Sequence, residues 1–200
     1  MQQIRPGRLE RSLDALDKSL TAIGHPLADK SLRPAGRSVD ELDTAARQLL
    51  GRALPRELEV LWGWWGDTYG PHWGGSAFPN QAAVHLDPSS EMLPGYLWVD
   101  SLENAIWQGG LQRRALGDLF GLDGVGLPVM NTIDCNTRYF AFLDRANAEG
   151  TVPVTSRAKD DPRYEHHFDS IAAVIDQATE LATSGMWVDN GPRLGWGYPE

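Results

Sequence analysis

Cysteine is almost missing: Cys135 is the single one in 200 residues. One thiol excludes an intramolecular disulfide and a multi-cysteine zinc site, and it fits a reducing, cytoplasmic setting. Long apolar runs are missing too; none approaches the ~20 residues that a membrane span needs. The opening MQQIRPGRLERS carries basic residues with no apolar stretch behind them, so no secretory signal is expected there. Most telling is the gap in positive charge. Residues 57–112 contain no Lys or Arg, yet they hold seven acids (Glu57, Glu59, Asp67, Asp87, Glu91, Asp100 and Glu103) and six of the eight tryptophans.

What is present suits one soluble domain, with 42% hydrophobic and 22% charged residues, so a sizeable core is expected. Charge divides unevenly along the chain. Residues 1–56 carry ten Lys or Arg against seven Asp or Glu, and residues 57–200 carry eight against twenty. An acidic field of that kind repels nucleic acid and anionic membrane surfaces and attracts basic partners. A plain solubilising surface would explain the net charge of −9 but not so long a cation-free window.

Periodicity gives the elements. Leu9, Leu13, Leu16, Leu20 and Ile23 recur at helical steps, predicting a helix over 8–23 that ends near Gly24. Ser38-Val-Asp-Glu41 is a capping box, and the helix it opens places Val39, Leu42, Ala46, Leu49 and Leu50 on one side and stops near Gly51. Pro55 suits the first turn of a third helix, with Leu54, Leu58, Leu61, Trp62 and Trp65 on one face and Val60 and Trp64 on the other. QAAVHLD is a candidate short strand and GYLWVD another, followed by a helix from a Ser101 cap to about Leu116. GLPVMNTI, TRYFAFLD and GTVPVTS read as three consecutive strands. Asp169 or Ser170 caps a last helix with Ile171, Val174, Ile175, Ala178 and Leu181 on one side, ending near Gly185. Helices, a strand meander and a closing helix make an α+β domain, with helices packed on one side of a mainly antiparallel sheet.

Chemistry is hard to find. Cys135 has no motif around it, and no serine sits in a G-x-S-x-G elbow. His85 with Asp87, and His166-His167 with Asp169, fall short of the three or four ligands a metal requires. GLDGVG lacks both a following helix and the Lys-Ser/Thr of a phosphate loop. Arg113-Arg114 reads as a solvated pair. The expectation is no enzyme, no metal and no cofactor.

Pro34, Gly36, Leu54, Pro55, Leu58, Leu61, Trp62, Trp65 and Gly66 together resemble the SUKH superfamily, which includes fungal cell-wall-synthesis regulators and many bacterial immunity proteins. Ser101-Leu-Glu103, Leu127-Pro-Val129, Asp134 to Asp144, Gly150 to Val154 and Phe168 to Ala182 fit its later elements. The chain departs from the pattern in having Trp65-Gly66 where Asn-Gly is usual, and in its long loop from Tyr69 to Pro94. The resemblance covers about residues 32–182, so the expected organisation is a helical extension over 1–31, a SUKH-like domain over 32–184 and a C-terminal arm over 185–200 that has no counterpart in the family.

The resemblance further implies a binder that occupies a cognate, secreted and basic toxin, with a nuclease as one possibility. The aromatic anchors would be Trp64, Tyr69, His72 and Trp73, and the charge partners Asp67, Asp87 and Glu91. Such a protein would be monomeric or weakly self-associating. A regulatory or scaffold module of the same type is the alternative. A third reading makes Trp64, Tyr69 and Trp73 an aromatic cage for a small molecule. Trp62 and Trp65 belong to the core instead; each brings about 4–6 kcal/mol of gross driving force when its ~150–250 Å² is buried.

Overall fold

The computed structural model describes residues 7–25, 28–30, 35–66, 97–107, 126–132, 137–158 and 165–184. Three helices come first: α1 (Arg8–Ala22), α2 (Val39–Leu50) and α3 (Arg56–Trp64). Strand β1 (Leu97–Val99) leads into helical residues 102–107, here α4. Then come β2 (Gly126–Thr132), β3 (Thr137–Phe142), β4 (Val154–Ala158), β5 (Glu165–Phe168) and α5 (Ile171–Thr183). The strands form one sheet in the order β1-β2-β3-β4-β5, every pair antiparallel. The fold is α+β. No described helix is long and apolar enough to cross a membrane.

Local chemistry sets the helix ends. Gly24 at φ +67° turns the chain out of α1, and His25 N–H reaches back to Leu20 O at 2.9 Å. Ser38 and Glu41 close the full capping box on α2, and Gly51 in the left-handed region ends it. Ser38→Ala should cost about 1 kcal/mol in a urea melt, because one N–H of the first turn loses its acceptor. Pro55 is the N-cap of α3 and stands one residue outside it. For α5 the cap is Ser170, whose hydroxyl accepts Ala173 N–H; Asp169 turns instead to Arg8 at 3.1 Å.

Among the described residues one apolar cluster joins the five helices to the sheet. The buried stripe of α1 is Leu9, Leu13, Leu16 and Leu20, and the helix packs chiefly on α5. Both helices bury small residues as well: Ser12 and Ser19 on α1, and Ala172, Ala178 and Ala182 on α5. Each serine hydroxyl bonds the carbonyl one turn back, which lets it be buried without a lost bond. The helix set apart above as an extension thus contributes four leucines to the shared core. Register places Leu127, Met130, Tyr139, Ala141 and Val154 on the core face of the sheet, with a bulge between Pro128 and Met130.

Three expectations are corrected. Val39 and Leu49 are 50% and 47% exposed: they occupy the outer turns of α2, and only Leu42 and Ala46 of that helix are buried. Leu181 is half-buried rather than core, and Ala182 takes the buried place beside it. The segment EHHF forms the fifth strand, with both histidines exposed. Its polar composition hid it, because the alternation that marks a half-buried strand is absent. The candidate strand QAAVHLD and the helix beyond Trp107 lie outside the described residues.

Candidate protein-binding surface

The tryptophan-rich stretch begins at the end of α3. Trp62 and Trp65 are fully buried, as their helical spacing predicts. Trp62 also satisfies its indole N–H, donating to Asp100 O at 2.7 Å. Trp64, assigned to the opposite side as a surface anchor, is half-buried and packs against the core, with its ring 5.3 Å from that of Trp65.

This corner is held by backbone against backbone. Arg37 N–H donates to Trp62 O at 2.9 Å, fastening the entry of α2 to the last turn of α3. A Cβ on Gly36 would stand 1.8 Å from Gly63 O, and one on Gly66 would stand 1.9 Å from Ala35 O. Both glycines of the motif are therefore there for close approach, not for left-handed backbone. The Arg37 guanidinium then reaches Glu103 on α4 at 2.5 Å.

The four acids of the cation-free window that fall among the described residues do not form one negative face. Glu57 is buried, and its carboxylate accepts the N–H groups of Val152, Ile171 and Ala172 at 2.8, 3.2 and 3.4 Å. Burial pushes its pKa up, and those three donors pull it part of the way back. Asp100 is buried as well, and burial carries its pKa up to about 6 against the pull of Asn104, Asn131 and Arg138. Glu59 pairs with Arg56 at 3.4 Å, and Glu103 with Arg37. Of these four, two are thus buried in the fold and two are paired with arginines from outside the window.

Of the sequence-derived binding residues, only Trp64 falls among the described ones. Asp67, Tyr69, His72, Trp73, Asp87 and Glu91 lie outside them, as do Cys135 and His85. The exposed indole that the structure does show is Trp107, 62% accessible on α4. It lies one helical turn beyond Glu103, which is also exposed, whereas Leu102 and Ala105 are buried. Its spacing from Leu102 and Ala105 marks that outward position in the sequence, but a single tryptophan gives a weaker signal than the denser run at 61–75. Among the described residues no group of three or more His, Cys, Asp or Glu could hold a metal ion. The chain matches no protein-family model and no curated protein.

Proposed function

We propose that this protein is a toxin-neutralising immunity protein of SUKH type, a non-catalytic binder that occupies a basic protein toxin in the cytoplasm. One observation carries the reading. The glycines through which the sequence resembles that superfamily, Gly36 and Gly66, meet at a backbone contact that admits no side chain. The degenerate motif therefore corresponds to one physical unit, the α2 entry clamped on the end of α3. From that unit the chain leads directly into the segment holding Asp67, Tyr69, His72 and Trp73.

Aromatic rings near the centre of an interface supply most of its affinity, and carboxylates around them speed encounter with a cationic partner. With four window acids engaged internally, steering falls to Asp67, Asp87 and Glu91. That same internal neutralisation favours the second reading, a regulatory or scaffold module with no toxin. The test is Tyr69→Ala with Trp73→Ala in one chain. The double variant should fold normally yet bind the toxin encoded beside it about 2 kcal/mol more weakly and lose protection of toxin-expressing cells. Full protection by the variant removes the site assignment, and a gene with no toxin neighbour supports the scaffold reading.

A further inference from the structure

Asp100 stands where β1 ends and α4 begins, and four bonds converge on it. Its N–H donates to Val129 O at 2.9 Å, and its carbonyl accepts the Trp62 indole. Its carboxylate accepts Asn104 Nδ2 at 2.5 Å and the side-chain amide of Asn131. Asn131 is itself buried, and its Oδ1 has no hydrogen-bond partner. Turning that amide over therefore breaks no bond at its far end. Asn131 can offer Nδ2 to an ionised carboxylate or Oδ1 to the O–H of a protonated one. The cluster has a seat for both forms of the acid.

The surroundings decide which form sits well. Arg138 of β3 is the charge that faces Asp100 among the described residues. From β2 the neighbour is Asn131, and from α3 the Trp62 indole; neither titrates. Glu103 on α4 is paired with Arg37, and Arg157 and Glu165, next across β4 and β5, pair with each other at 2.7 Å. An ionised Asp100 is thus a buried charge with two amide donors and one cation at a distance, which is poor compensation. Relief is near at hand. Among the described residues β1 is a three-residue strand at the end of the sheet order, bonded to β2 alone, and an element of that kind opens locally without unfolding the core.

We propose that Asp100 is a proton-operated latch: neutral, it fastens β1 and the first turn of α4 to the sheet; ionised, it loosens them. The moving part carries Glu103, hence the tie to Arg37, and the exposed Trp107. The latch rests on this geometry and needs no partner.

The sign follows from linkage. The folded-state pKa lies above the ordinary 3.8, so the stabilisation is complete below that value and is lost as pH rises through about 6. Amide hydrogen exchange on the whole protein, corrected for intrinsic rates, reads it directly. The Asp100 and Ala105 N–H groups, bonded to Val129 O and Ser101 O, should lose protection about tenfold between about pH 5 and about pH 7.5. The Phe142 N–H, on Pro153 O in the middle of the sheet, should not change. Asp100→Asn should abolish the pH dependence. A wild-type chain with equal protection at both pH values overturns the latch, as does a variant that keeps the loss. Should the variant not fold, a carbon-13 carboxyl titration of wild-type Asp100 decides alone: a midpoint near 6 supports the latch, and one in the ordinary aspartate range overturns it.

Discussion

Glu57→Ala is expected to remove about 4 kcal/mol of folding stability, with a correspondingly lower midpoint in urea and an unchanged slope. The side chain lies in the first turn of α3, but its carboxylate serves two other segments. It takes the N–H of Val152 before β4 and those of Ile171 and Ala172 at the start of α5. A helix start leaves four N–H groups without intrahelical partners. Ser170 satisfies one in α5, and Glu57 satisfies two more from 114 residues away in sequence. Truncation strands three buried donors at once, each costing ~1–3 kcal/mol when it finds no acceptor. It also removes a negative charge from the positive end of the α5 dipole. Glu57→Gln keeps one carbonyl oxygen but turns an NH₂ toward N–H groups, so about half the loss should remain. A variant as stable as wild type would mean that water replaces the carboxylate at no cost.

Alanine at Gly36 or Gly66 is expected to destabilise the protein by about 3 kcal/mol or more, since each new methyl meets a backbone oxygen that cannot swing aside. The α2 entry would have to lift from the end of α3, breaking the bond from Arg37 N–H to Trp62 O and shifting the guanidinium from Glu103. Gly63 supplies the control within the same turn. Its added Cβ would meet Arg37 O at an ordinary 3.6 Å, inside a regular helix. Gly63→Ala should therefore stabilise by up to about 1 kcal/mol through helix propensity alone. Equal effects at all three positions in urea melts would show that flexibility, not contact, governs this corner. The proposed SUKH-like function would then lose the contact it is argued from.

Much of the local structure was legible because it depends on near neighbours. The capping box at Ser38, the glycine stops at 24 and 51, and the buried faces of α1, α3 and α5 follow from spacing and side-chain type. The candidate site was far less legible. The side of the helix that carries Trp64 holds little else apolar, which points it to the surface, yet Trp65 offers it a ring to lean on. The acids of residues 57–112 read in sequence as one surface field, because sequence records a charge but not what it faces.

The sequence alone determined the capping box of α2, the glycine stops at 24 and 51, and the inward turn of the α1 leucines and of Trp62 and Trp65, since the helical repeat and the cap residues act within a few positions. Only the tertiary structure decided what the charges do. Whether a carboxylate is a solvated surface group, as sequence suggests, or a buried clasp depends on donors brought from far along the chain. Glu57 meets the start of α5, Glu103 meets Arg37, and Asp100 meets Asn131; each pairing exists only once the helices lie on the sheet.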